Sequence, residues 1–149
     1  DRLMLTGRQR GQANLVPTDL SGVRAQLAAL RRGEAIGILP DQVATGGDGA
    51  WAPFFGRAAY TPTLAASLQR KTGAPAFFVA AERLPWGRGY HLHVLPLGDT
   101  LPADKAAAAT RINEAGEAIV RRFPTQYLWS YNRYKRPGGA PDPDTLPPA

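Results

Sequence analysis

The sequence predicts a layered α/β domain with a mixed sheet. Three observations carry that reading: segments whose apolar residues recur every three or four positions, a short apolar run ending in Pro40-Asp41-Gln42, and two alternating segments joined by a loop rich in Pro and Gly. At 149 residues the chain is long enough for one compact domain that buries roughly two-thirds of its unfolded surface.

The elements follow in order. Residues 1–16 show no clean period, and Gly7, Arg8, Arg10 and Gly11 make them a basic, flexible lead-in. Because Asp1 opens the chain without a basic-then-apolar leader, the start is expected to be internal or processed. Thr18 or Asp19 can cap an amphipathic helix carrying Val23, Leu27 and Leu30, with Gly33 as its stop. Ala35 to Leu39 reads as a buried strand that delivers Asp41 and Gln42 at its C-terminal end, where α/β folds place their sites. Thr45 to Pro53, with Gly46-Gly47-Asp48-Gly49, reads as a mobile loop closing onto Phe54-Phe55, too irregular for a nucleotide-binding glycine fingerprint.

Thr61-Pro62 reads as a helix start, with Leu64 and Leu68 on the buried stripe and Gly73 as the end. Ala76 to Leu84 and Tyr90 to Pro96, joined through Pro85-Trp86-Gly87-Arg88-Gly89, predict an antiparallel hairpin. On its second strand the period of two puts His91, His93 and Leu95 on one face, which favours a structural role for both histidines. The longest helix signal spans Pro102 to Phe123, with Ile112, Ala115, Ile119 and Phe123 aligned and Pro124 as the stop. Thr125 to Tyr134 is a short helical or turn segment, in which Trp129 is expected to pack in the core, with a membrane interface for Tyr127, Trp129 and Tyr131 as the alternative. Residues 137–149, with five prolines, are expected to be an extended or disordered tail.

Composition narrows the chemistry. The absence of Cys removes disulfides, thiolate nucleophiles and Cys-based zinc sites, and the two His have no closely spaced carboxylate cluster in the sequence, so neither metal nor cofactor is expected. No run approaches the roughly 18 apolar residues that span a bilayer. A formal charge of +6 is concentrated where Ala118 to Pro141 carries Arg121, Arg122, Arg133, Lys135 and Arg136 without an acid. That segment suits phosphate, an anionic membrane surface, nucleic acid or an acidic carrier protein, and a solvated basic face is the plain alternative.

Taken together, the residues resemble the bacterial lipid A biosynthesis acyltransferases, the lauroyl and myristoyl transferases of the lysophospholipid acyltransferase-like superfamily. The resemblance runs from the Arg24–Gly33 helix and Glu34 through Pro40-Asp41-Gln42, Pro53-Phe54-Phe55-Gly56, Thr61 and Thr72-Gly73-Ala74-Pro75. It continues in Arg83, Gly89-Tyr90, Asn113 and Glu117, and ends in Phe123-Pro124-Thr125-Gln126-Tyr127-Leu128-Trp129 with Arg133, Tyr134 and Lys135.

The resemblance implies a glycerol-3-phosphate-acyltransferase-like fold and transfer of a fatty acyl group from acyl carrier protein to a hydroxyl of a lipid A precursor. It implies work at the cytoplasmic face of the bacterial inner membrane, with the membrane anchor in an N-terminal segment not in this chain. The superfamily's catalytic pair is a His followed after four residues by Asp or Glu, in which the His removes the hydroxyl proton and the carboxylate orients it. Here Pro96 follows His91 at that spacing and Gly98 follows His93. Residues 1–136 are therefore expected to be the C-terminal portion of a single acyltransferase domain, inactive alone.

Asp41 matches an Asp that the family needs, with Gln42 beside it, and a turn-capping Asp after Pro is the bland alternative. Arg8 and Arg10 are candidates for a family Arg that would hold a phosphate or an oxyanion. Thr61 matches a family Thr, although a helix cap explains it more simply. The competing function is a non-catalytic basic module for anionic lipid or nucleic acid. No recognised nucleic-acid motif accompanies the basic segment, so nucleic acid is not expected as a partner.

Overall fold

The computed structural model describes residues 14–45, 47–98 and 100–143. The chain divides into two units, Asp1–Gly37 and Ile38–Ala149. In the first, helix α1 spans Leu20–Arg31. Asp19 caps it, its carboxylate accepting from the backbone N–H of Ser21 at 2.8 Å and of Gly22 at 3.1 Å, which satisfies two of the donors that a helix start leaves free. Bonds from the Ser21 hydroxyl and from these amides hold the Asp19 carboxyl below its ordinary value.

The expected strand over 35–39 does not form. Residues 34–39 have no regular structure, and Leu39 is 62% exposed. A strand needs a ladder partner, and among the described residues none pairs with this run. Its apolar content therefore did not decide its backbone, and Gly37 weakens an extended segment further.

The second unit opens with an antiparallel hairpin of β1, Gly49–Phe54, and β2, Arg57–Pro62, with Trp51 opposite Tyr60. Phe55 and Gly56 turn it with φ of 48° and 73°, the doubly positive pattern of a type I′ hairpin turn. Much of the expected 45–53 loop is thus a strand. Pro53 sits on its exposed side in an isolated two-stranded ladder, a position where a missing N–H is tolerated. Thr61 and Pro62 end β2 instead of opening a helix. Helix α2, Leu64–Thr72, has Thr63 at its N-cap without a side-chain bond and ends at left-handed Gly73, φ 69°.

The second hairpin matches expectation: β3, Phe77–Arg83, pairs with β4, Tyr90–Pro96, and Glu82 lies opposite His91. Helix α3, Lys105–Arg122, capped by Asp104, packs against both β1 and β3. The α/β class holds, but the described strands form two separate antiparallel pairs instead of one mixed sheet. Each pair closes through a short local turn, whereas a parallel pair would need a long crossover.

Two apolar clusters hold this unit. Ala66, Leu97, Leu101, Ala108 and Ile112 form one beneath α3. Val43, Trp51 and Tyr60 form the other with Tyr131 and Ala140 against them, and the Trp51 indole donates to the Pro141 carbonyl at 2.7 Å. Trp129, expected in the core, is 59% exposed. Its N–H donates to the Pro124 carbonyl at 2.7 Å, so a local turn satisfies the indole without burial. Among the described residues, no helix is long and apolar enough to cross a membrane.

Candidate functional site

Between the inward face of β3 and helix α3 lies a cavity of about 250 Å³. Phe54, Phe78, Ile112, Ile119, Val120 and Phe123 give it apolar walls, while Asp41, Asn113, Tyr127 and Arg133 supply polar groups. The small residues Ala80 and Gly116 also line it. A Cβ on Gly116 would stand 3.5 Å from the Phe78 ring, so a methyl fits there and anything larger would take up the cavity.

The polar wall is organised by Arg133, which is only 3% exposed. Its guanidinium donates to the Tyr60 carbonyl at 3.0 Å, the Thr61 hydroxyl at 2.7 Å and Asn113 Oδ1 at 3.2 Å. Asn113 in turn donates from Nδ2 to the Pro53 carbonyl at 2.8 Å and to the Thr61 hydroxyl at 3.0 Å. One cation thus joins the end of β2, the middle of α3 and the segment after α3. The Phe54 ring lies under it at 5.4 Å.

Burial pushes the Arg133 pKa down, and the neighbourhoods of Tyr127 and Asp41 act in the opposite direction. Among the described residues no carboxylate pairs with Arg133 directly, and its buried Nε–H has no acceptor. Burial also raises the Tyr127 pKa, with Asp41 adding to the rise, so the phenol keeps its proton at neutral pH. A charge-assisted donor and a nearby carboxylate at one end of an apolar hollow can hold a polar headgroup while the hollow takes a chain.

The structure brings Asp41 and Thr61 to this wall in different ways. Asp41 is exposed and lines the cavity, following an irregular segment instead of a strand. Thr61 is fully buried behind the wall as a partner of Arg133. Gln42 is exposed next to Asp41 and does not line the cavity. Arg8 and Arg10 lie outside the described residues. The sequence placed Arg133 in the anion-seeking basic segment and both Arg133 and Asn113 in the family resemblance, but not in the site, although Asn113 follows Ile112 directly on a helix face that is otherwise apolar. A polar side chain there signals a buried partner.

His91, His93 and Leu95 do share a face of β4. His93 is buried, with Nε2 2.9 Å from Glu82 Oε2 and its ring 4.8 Å from Phe123. His91 is exposed and stacks on His93 at 4.4 Å. The sequence has no carboxylate close to the two histidines, but the strand register supplies one across the hairpin.

A model of the bacterial lipid A biosynthesis acyltransferase family matches residues 1–136. The chain is 33% identical over 134 residues to the lipid A biosynthesis palmitoleoyltransferase of Escherichia coli (strain K12), covering 89% of this chain and 44% of that protein. It is equally similar to the lipid A biosynthesis acyltransferase of Shigella flexneri. With the lipid A biosynthesis lauroyltransferase of Escherichia coli (strain K12) it shares 31% identity over 144 residues, 95% of this chain and 46% of that protein. The chain thus spans less than half the length of these relatives.

Proposed function

This chain belongs to the bacterial lipid A biosynthesis acyltransferase family, and from that premise we propose that it is the C-terminal part of an enzyme moving a fatty acyl group from acyl carrier protein to a hydroxyl of a lipid A precursor. In that reaction the acceptor oxygen attacks the thioester carbonyl, its proton passes to a base, and the carrier thiol leaves. The base and its orienting carboxylate come from the part of the enzyme preceding these residues, which together with residues 1–136 makes a single acyltransferase domain of glycerol-3-phosphate-acyltransferase-like fold at the cytoplasmic face of the inner membrane.

The observation that carries the proposal is the apolar cavity with Asp41 and buried Arg133 on one wall. Apolar surface suits an acyl chain. Arg133 offers a charged donor to an acceptor phosphate or carbonyl oxygen, and Asp41 offers an acceptor to a sugar hydroxyl. The test is acyl transfer from lauroyl or myristoyl carrier protein by the full-length parent carrying Asp41→Ala. A fall of about 10²-fold is expected, the size typical for losing one oriented polar group at a reacting centre. An unchanged rate in a folded variant removes Asp41 from the site.

A second reading, contact with anionic lipid, rests on exposed Leu128 and Trp129 near a cationic edge. Trp129 packs 6.0 Å from the Phe55 ring, over which Arg121 lies at 4.9 Å. An aromatic ring beside a cation suits the boundary between acyl chains and headgroups.

A further inference from the structure

We propose that Glu82, His91 and His93 form a binding site for a divalent transition-metal ion of the zinc type. One potential ligand atom from each side chain lies within 4.8 Å of the other two. The hairpin enforces this. His91 and His93 are two residues apart on β4 and so point the same way, and the register sets Glu82 of β3 directly opposite His91.

Two imidazoles and one carboxylate are a donor set that suits zinc, with a fourth position left for water. A tetrahedral ion with bonds of about 2.0–2.1 Å holds its ligand atoms about 3.3 Å apart. The pair His93 Nε2 and Glu82 Oε2, at 2.9 Å, is already close to that spacing. Only His91 must close in, and it is exposed on the surface of the strand and free to do so without disturbing the core.

The bond between His93 and Glu82 alone explains why His93 is buried. His91, with solvent beside it, lies within reach on the same face, its ring on His93 at 4.4 Å and an interplanar angle of 22°. To ligate an ion, His91 turns out of that stack so that its in-plane lone pair meets the one from His93, and the ion replaces the hydrogen bond shared by His93 and Glu82 with bonds from both partners and from His91. Phe123 against His93 fixes one imidazole plane, as supporting contacts do around metal ligands. Glu82 also lines the cavity, so the ion would sit in its wall near the loop end of the second hairpin.

The test uses the untagged chain, zinc chloride, calorimetry and thermal unfolding. The chain has two His and no Cys, so binding that depends on imidazole can arise only here. One ion per chain is expected, with a higher Tm in its presence. His91→Ala, at an exposed position, should keep the fold, weaken binding by more than about 10-fold and abolish the Tm rise; changes even in outer partners of metal ligands cost about that much. Glu82→Gln should weaken binding in the same direction. The proposal is overturned if wild type and His91→Ala bind zinc equally, or if wild type binds it no more tightly than about 1 mM. Neither outcome bears on the acyl-transfer reading, which uses neither histidine.

Discussion

The stability of the cavity wall turns on one guanidinium. Arg133 satisfies a β2 carbonyl, the Thr61 hydroxyl and the Asn113 side chain at once, and its removal leaves those buried acceptors without their donor. Arg133→Ala is expected to lower stability by about 1–3 kcal/mol, the cost of leaving buried neutral acceptors unpaired. Arg133→Lys should recover only part, because a single ammonium cannot reproduce a planar fork. At Thr61 the distinction is between hydroxyl and shape. Thr61→Val should cost about 1–3 kcal/mol by leaving its partners unpaired, and Thr61→Ser should cost less. Urea unfolding of the four variants measures all of this, and a Thr61→Val midpoint equal to wild type would remove the network from the account.

At the scale of elements, the β1–β2 turn is a constrained piece of backbone. Gly56 has φ 73° and open space around a would-be Cβ. Gly56→Ala should therefore destabilise through backbone strain alone, by about 1–2 kcal/mol, again read from urea unfolding. Helices α1 and α3 and the β3–β4 hairpin were legible in the sequence because a clear period coincided with a definite stop: Gly33, Pro124, and the Pro85–Gly89 loop. Strand β1 was not, because Gly49 and Pro53 stand inside it and its reason for being extended lies in pairing with β2. The run 35–39 failed in the opposite sense, having strand-like residues and no partner. Thr61-Pro62 matched a helix start, but the ladder with β1 extends to Pro62 and moves the start by two residues. At the site, Asp41 was legible through the family motif, whereas the link from Arg133 to Thr61 spans 72 residues and leaves no local pattern.

On the scale of the whole molecule, the outward face of β3 and β4 is a row of apolar side chains. Phe77, Val79, Tyr90, Leu92 and Val94 are each more than half exposed. A contiguous patch of that kind drives association in water. The chain on its own is expected to self-associate, and Val79→Lys with Leu92→Lys should reduce the apparent mass by light scattering while leaving far-ultraviolet circular dichroism unchanged. Equal mass for variant and wild type would show that the patch does not mediate contact.

The span closed by Arg133 also sets a timetable for synthesis. Thr61 leaves the ribosome 72 residues before its cation does, a delay of roughly 4–14 s at 5–20 residues per second. Through that interval the first hairpin waits with its inner carbonyls and hydroxyl open to water, and the pocket is completed only as Arg133 emerges.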